Sequence, residues 1–497
     1  MMGPHSGVNI AAGKAGIGPM ESVKQFAGLA SDSREVGPGY LFAALPGTKA
    51  NGAEFVKDAV SRGAVAVLGR PEVAPRAAAL GVRFIADDNP RRALARIAAQ
   101  FFAAQPETVA AVTGTNGKTS VTVFLREIWT ALGRRAASMG TIGVVTPEGK
   151  IKLHHTTPDP IELHRLLAEL KQGGIGHLAV EASSHGLDQY RLDGVKIAAV
   201  GFTNISRDHM DYHPSFEAYL ACKLRLFTEL AQGAAAAVVN ADTEHAGSFI
   251  AAAKTRGLRL LTVGEHGESL KLLARTPHEN GQSLKIAYDG NTYTVALPLA
   301  GAFQVSNALV AAGFAIGLGE KADAVFAALA GLEGAPGRLE KVAYAKSGAS
   351  IYVDYAHTPD ALETILTALR PHTKGRLHVV FGCGGDRDKG KRPLMGAAAA
   401  KYADRVIITD DNPRGEDASA IRKQALALCP GAQEIGDRAE ATRAGIAALG
   451  EGDVLVIAGK GHESGQIVGT VIHPFSDRDE AIKAATALGG RPVERRT

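Results

Sequence analysis

The segment Ala111-Val112-Thr113-Gly114-Thr115-Asn116-Gly117-Lys118-Thr119-Ser120 constrains this chain more than any other. Residues 109–112 read as a buried strand. Residues 121–132 read as a helix with Val121, Phe124, Leu125, Ile128 and Trp129 on one face. Strand, glycine turn, Gly-Lys-Thr and helix is a way to wrap a nucleoside triphosphate. Backbone N–H groups and a helix N-terminus face the phosphates, Lys118 supplies a point charge, and a Thr119 or Ser120 hydroxyl reaches a magnesium ion. The pattern G-x-x-x-x-G-K-[ST] would put glycine at position 112, where this chain has Val112, so the loop is a shorter form. Its setting between strand and helix separates it from an ordinary glycine turn with a surface lysine. Gly114, Thr115, Asn116, Gly117, Lys118, Thr119 and Ser120 are therefore expected to bind ATP or GTP.

What the triphosphate serves must come from the rest of the chain. Its 497 residues allow two to four domains, and 45% hydrophobic with 21% charged residues is a soluble globular composition. Lys and Arg number 55 against 51 Asp and Glu, a net +4, and no basic cluster interleaves with aromatics. That disfavours nucleic acid and suits anionic small molecules. Cys222, Cys383 and Cys429 are widely spaced with no C-x-x-C, which points to a reducing compartment rather than a disulfide framework. Residues 1–20 are Gly/Ala-rich without a continuous apolar core and read as a flexible N-terminus, not a signal peptide. No apolar run reaches the roughly 18 residues of a membrane span.

Three blocks follow. In 21–106, strand-like runs at 40–44, 65–68 and 83–85 alternate with helical text. Asn89-Pro90 opens a helix through Phe102, and Gln105-Pro106 reads as a linker. In 107–336, further apolar strands stop at polar residues (Glu181, Asn204, Asn240), and a long helix carries Asn307. In 337–497, the runs 351–354, 378–382, 406–410 and 454–459 alternate with helices, one starting at Thr358-Pro359. The fold class is α/β in three domains: a central P-loop ATPase-like parallel sheet, and a C-terminal Rossmann-like, doubly wound sheet.

Polar clusters sit after these strands, where parallel sheets gather chemistry. Glu181 and His209, with Thr119 or Ser120, are candidate magnesium contacts. In the third block Phe381–Pro393, Thr409–Arg414 and Gly459–Glu463 should converge on one rim. That rim mixes the cations Arg387 and Arg414 with the anion Glu463, which would match a zwitterionic amino acid.

With these residues in view, the chain resembles the Mur ligase family from about residue 21 to its end. The carrying segments are TGTNGKTS, EASSHGLDQYR, FTNISRDHMDYH, GAFQVSNAL, VDYAHTPDAL, FGCGGDRDKGKRPLM, DDNPR and AGKGHE. The resemblance implies an N-terminal domain (21–106) for the UDP end of a substrate, a central domain (107–336) for ATP, and a C-terminal domain (337–497) for an amino acid. It implies a cytoplasmic monomer serving peptidoglycan synthesis, and hence cell shape and division. The reaction would be an ADP-forming, Mg²⁺-dependent acid–amino-acid ligation through an acyl phosphate.

Residue by residue, the resemblance implies catalytic roles for Lys118, Lys223, His209 and Glu181. Lys223 would be carbamylated and help place magnesium with Thr119, Glu181 and His209. Asn307 would contact adenine, and Arg338 and Asp354 the ribose and phosphates. Ser33, Thr156, Thr157, Ser183, Gln189 and Arg191 would hold UDP-MurNAc-L-Ala-D-Glu. Arg387, Asp411, Asn412, Pro413, Arg414, Gly459 and Glu463 would hold meso-2,6-diaminopimelate, with Arg414 pairing the carboxylate that lysine lacks. Ligation of L-lysine, or a folylpolyglutamate synthetase activity, is the nearest other reading; SSHGLDQYR and DNPR weigh against the latter. A P-loop NTPase switch would leave the charged rim of the third block without a purpose.

Overall fold

The computed structural model describes residues 23–47 and 51–494; the N-terminal stretch 1–20 lies outside them. The apolar runs form parallel sheets because they carry hydrophobic side chains on both faces, and such strands need helices above and below. The chain divides into two compact units.

One unit takes the described residues through Pro106 together with Thr157–Gly174 and His185–Val195. Its sheet is parallel throughout, in the order Gly28–Ala30, Tyr40–Ala43, Ala64–Gly69, Arg83–Ala86. The helix Pro90–Phe102 begins where the Asn89 side chain accepts from Arg92 N at 3.1 Å, with proline at the first helical position. Its Leu94, Ile97 and Ala98 join Leu41, Ala66 and Leu68 in the core. The helix Pro160–Gln172 packs against it, so a segment distant in sequence completes this unit.

The other unit holds Glu107–Thr156, Ile175–Ser184 and Lys196 onward. Its larger sheet has eleven strands. Seven neighbours run parallel: Leu270–His278, Arg259–Gly264, Ala231–Asn240, Ile197–Phe202, Thr108–Thr113, His177–Glu181 and Ala136–Gly140. Antiparallel hairpins extend both edges. In register, Val112 lies opposite both Gly201 and Glu181, so three strands end level and their following loops meet. The helix Lys118–Ala131 buries all five expected residues, and Val123 as well, because the helix Ala302–Gly317 covers a second side. It starts three residues earlier than its apolar pattern does, since left-handed Gly117 turns the loop directly into it.

The smaller sheet runs Gln433–Glu434, Arg405–Asp410, Leu377–Cys383, Val454–Ala458, Ser350–Asp354, Glu340–Tyr344, Arg491–Pro492. The first five are parallel and the last two antiparallel. Separate apolar clusters lie on its two faces: one with Leu362, Leu366, Met395 and Ile421, the other with Ala441, Ile446, Ala481 and Ala485. It is thus doubly wound. The Thr358 hydroxyl caps the helix Pro359–Leu369 as its sequence predicts. Polar ties join this sheet's elements to the larger one: His372 Nε2 accepts from Gly301 N at 3.0 Å, and Gln304 Nε2 donates to Arg338 O at 2.9 Å. No helix among the described residues is long and apolar enough to cross a membrane.

Candidate active site

The phosphate loop is braced from beneath. Asn116 N donates to Asn204 Oδ1 at 3.0 Å, Thr203 Oγ1 to Asn116 O at 2.6 Å, and Asn240 Nδ2 to Thr203 O at 3.0 Å. The strand-end asparagines thus shape the loop, so its amide donors are held in place before any ligand arrives. Gly117 has φ 87°, and a Cβ there would run into Asn307 Oδ1. Only glycine fits both that turn and that approach. Thr115 Oγ1 meets Tyr219 Oη at 3.0 Å and accepts from Ser206 N at 3.0 Å, tying the far side of the loop.

Two lysines share one carbonyl. Lys118 Nζ donates to Gly114 O and Thr115 O, each at 2.8 Å, and Lys223 Nζ donates to the same Gly114 O at 2.8 Å. Lys223 is buried and lies 4.5 Å from the Tyr219 ring centroid. Its burial, and then the neighbouring Lys118 charge, push its pKa well below that of a free lysine. Desolvation lowers Lys118 as well, opposed by the charges of Glu181 and Asp208.

Glu181 is buried at its strand end, where Oε1 accepts from Thr141 N at 2.8 Å and Oε2 from Thr141 Oγ1 at 3.2 Å. Among the described residues no three His, Cys, Asp or Glu side chains form a metal cage. A hydroxyl (Thr119) and a carboxylate (Glu181) near a phosphate loop nonetheless fit Mg²⁺, which takes one or two protein oxygens and completes its shell with phosphates and water. Ser120 is buried behind Thr119. His209 sits in the exposed loop after Phe202, at φ 54° and 3.5 Å from Asp208.

The other expected nucleotide residues come together. Asn307 lies against Gly117, and its Nδ2 donates to Gln304 Oε1 at 3.3 Å, which in turn holds Arg338 O. The Arg338 guanidinium stands 4.7 Å from the Tyr355 ring centroid. Both Asp354 oxygens accept backbone donors at 2.7 Å, from Leu339 and Ala356. Burial raises the Asp354 pKa, and Arg338 opposes that. This carboxylate therefore shapes the turn that carries Arg338.

The six residues expected at the UDP-substrate fall into both units. In the first, Arg191 Nη1 donates to Thr157 O at 2.6 Å and Nη2 to Gln189 Oε1 at 2.8 Å, while Ser33 is buried in the short helix Ser33–Glu35. In the second, Thr156 Oγ1 lies 3.2 Å from Thr141 Oγ1, one residue's reach from Glu181, and Ser183 follows the strand ending at Glu181.

At the C-terminal ends of the smaller sheet the three charged loops converge. Gly385 N donates to Asn412 O at 2.8 Å and Arg414 Nη1 to Gly385 O at 2.9 Å. Arg414 has φ 51°, and its backbone pairs with Ile467 and Gly469. Such a conformation costs a non-glycine residue about 1–3 kcal/mol and recurs at ligand sites. Pro413 is buried behind it, and Arg387 is exposed on the adjoining loop. Asp411, Asn412 and Gly459 are buried, with Glu463 half-buried beside them. Sequence reasoning missed three residues here. Arg392 is fully buried and holds Glu416 at 2.8 and 3.0 Å, and Glu416 Oε1 accepts Asp386 N at 2.6 Å. Lys460 is fully buried too. A charge inside a charged loop reads as solvated; burial distinguishes Arg392 and Lys460, and the pairing with Arg392 distinguishes Glu416.

Comparison with known proteins covers the same elements. The descriptions "Mur ligase family, catalytic domain", "Mur ligase middle domain" and "Mur ligase, glutamate ligase domain" match residues 25–102, 112–315 and 337–461. The UDP-N-acetylmuramoyl-L-alanyl-D-glutamate–2,6-diaminopimelate ligase of Bradyrhizobium diazoefficiens is 57% identical over 95% of this chain and 97% of that protein. The ligase of the same name from Caulobacter vibrioides is 54% identical over 94% and 96%. A solved structure of a ligase with this name aligns with TM-score 0.72 at 35% identity, covering 93% of this chain and 95% of that one. Folylpolyglutamate synthase of Mycobacterium tuberculosis shares the fold, with TM-score 0.61 at 19% identity over 81% of this chain and 96% of that one. Identity of this degree along nearly the full length of both partners has one reading: the chain belongs to the Mur ligase family.

Proposed function

We propose that this protein is the ATP-dependent ligase that joins meso-2,6-diaminopimelate to the D-Glu of UDP-MurNAc-L-Ala-D-Glu, in the cytoplasmic stage of peptidoglycan synthesis. The relatives bear that name, and the observation that carries the choice of amino acid is the anchored guanidinium of Arg414. Its Nη1 is held by Gly385 O, which leaves Nη2 and Nε as a fork for a carboxylate. Residues 21–106, 107–336 and 337–497 would serve the UDP end, ATP and the amino acid respectively.

A carboxylate is a poor acyl donor because its leaving group would be oxide. Attack of the D-Glu carboxylate on the γ-phosphorus forms an acyl phosphate and releases ADP. The neutral amine of diaminopimelate then adds to the acyl carbon, and collapse of the tetrahedral intermediate expels phosphate. Lys118 moves from its own loop carbonyls to the phosphate oxygens, and the loop amides hold the remaining charge. Mg²⁺, held by Thr119, Glu181 and His209 with a Lys223 carbamate, would neutralise charge between the carboxylate and the triphosphate. Asn307 would meet adenine, with Arg338 and Asp354 at the ribose and phosphates. Ser33, Thr156, Thr157, Ser183, Gln189 and Arg191 would hold the nucleotide-sugar peptide.

The state of Lys223 supports its carbamate. CO₂ adds to a neutral amine with loss of one proton, and a lowered pKa supplies that amine at neutral pH. The same shift sets the sign of a stability effect. A lysine whose folded pKa lies below its unfolded value binds fewer protons when folded, so stability rises with pH up to the unfolded value near 10.4. In CO₂-depleted buffer at pH 7, Lys223→Met is therefore expected to melt about 2 °C or more above wild type, with the gap closing towards pH 10. Bicarbonate should raise wild-type ligation and leave the variant inactive. A lower melting temperature for the variant at pH 7 would count against a buried amine whose charged form is disfavoured.

The reaction itself is tested by phosphate release with UDP-MurNAc-L-Ala-D-Glu and ATP. meso-Diaminopimelate is expected to exceed L-lysine by about 10²-fold or more in kcat/KM, because the half-buried Arg414 fork, left without its carboxylate, rejects the acceptor that lacks it. Equal rates would refute the specificity, and no amino-acid dependence would refute the ligase.

A further inference from the structure

The buried cation Lys460 has no place in the reaction as derived above. It lies in the loop after the strand Val454–Ala458 and is shielded completely from solvent. A lysine in that position must meet acceptors. Its Nζ donates to Asn412 Oδ1 at 2.9 Å and to Glu463 Oε2 at 3.2 Å, and stands 3.7 Å from Asp411 Oδ1. Gly459, at φ 120°, permits this: a Cβ there would lie 2.8 Å from Asp411 Oδ2.

The contacts determine which way each polar group faces. Asn412 Oδ1 receives two groups that can only donate, the Lys460 ammonium and Ile467 N–H, both at 2.9 Å. The amide oxygen is thereby fixed inward, and the amide nitrogen points the other way, donating one hydrogen to Glu463 Oε2 at 3.2 Å. That Glu463 oxygen accepts from both Lys460 and Asn412, so the remaining capacity of this pair is one N–H of Asn412 and Oε1 of Glu463. A donor beside an acceptor is the complement of a zwitterionic amino-acid head, carboxylate to Asn412 and ammonium to Glu463.

We infer that Lys460 is a positioning residue for the amino acid: it orients Asn412 and holds the Glu463 carboxylate in place, so that the pair reads a zwitterionic head group. This rests on the ligase reading above. Without the ammonium, the Asp411 and Glu463 carboxylates lose the cation between them, and Ile467 N alone is left to hold the Asn412 amide oxygen. Lys460 touches no substrate itself.

Lys460→Met keeps the chain length and removes the charge. It is expected to raise KM for diaminopimelate about tenfold or more, since truncating one partner of a buried charged network costs that much or above. KM for ATP should stay within about twofold, because the phosphate loop is built from other elements. Lys460→Gln, which retains one N–H donor, should show a smaller rise in KM and the same unchanged ATP value. A diaminopimelate KM within twofold of wild type overturns the inference. So does a loss of ATP binding by both variants, which would make Lys460 a support of the whole unit. If wild type itself uses a different amino acid, the choice of diaminopimelate falls instead, and the same variants measured with that amino acid still decide the role of Lys460.

Discussion

Lys118→Ala is expected to lower kcat/KM for ligation by about 10³-fold, some 4 kcal/mol of transition-state stabilisation, with little change in melting temperature. The large effect follows from where the charge must go. In the ligand-free arrangement the ammonium rests on Gly114 O and Thr115 O, two carbonyls of the very loop that must wrap the phosphates. Lys223 is held by the same Gly114 carbonyl and would become anionic if carbamylated. Arg338 is close enough for its charge to act on Lys118 but belongs to another element, so Lys118 is the cation that the loop itself would offer to a triphosphate and an attacking carboxylate. Stability should change little, because burial already disfavours the charged form of Lys118. Lys118→Arg should recover only part of the activity: a planar fork cannot follow the phosphate as a compact ammonium does. Initial rates at saturating and limiting ATP, with a thermal melt of each variant, decide the matter. A loss under tenfold, or a loss that tracks the melt, would show that the lysine serves the loop's fold.

Arg414→Ala should raise KM for diaminopimelate about 10²-fold while leaving KM for ATP unchanged, and should bring diaminopimelate and lysine closer together as substrates. The guanidinium is only partly held by the protein. Nη1 is engaged with Gly385 O, and a weaker contact at 3.4 Å reaches Asn412 O. In the proposed reading the rest of the fork would take the carboxylate that distinguishes the two amino acids. The backbone at Arg414 is left-handed and pinned by Ile467 and Gly469, so alanine inherits the strained conformation and some local loosening is expected. Arg414→Lys separates the two effects, since it keeps the charge and stem but cannot pair bidentately; it should retain part of the affinity. Equal weakening of ATP and diaminopimelate would make Arg414 a structural arginine.

Much of this was legible before any coordinates. Period and punctuation marked the strands because residues buried on both faces leave unbroken apolar runs, as at 109–112 and 454–458. Caps at Asn89 and Thr358 were readable because capping is a local bond between a side chain and an amide three residues on. The phosphate loop was legible for the same reason, since its chemistry lies within a few consecutive residues. Less was legible at the rim. That Asn204 braces the loop, or that Asp354 reaches Leu339 N, depends on contacts across many residues of sequence. The segments Thr157–Gly174 and His185–Val195 lie inside the second block of sequence yet pack with the first sheet. Their amphipathic text carries no sign of which sheet they cover.

By itself, then, the sequence determined the local chemistry: a short phosphate loop, strands ending in polar clusters, and a family pattern spread along nearly the whole chain. Only the tertiary structure decided which charges are buried and which face outward. Lys118 and Lys223 meeting at one carbonyl, and Lys460 turning the Asn412 amide, are pairings between residues about fifty to a hundred positions apart. A charged side chain has the same letter in water and in a core. Its pKa, orientation and worth are set by neighbours that folding alone supplies.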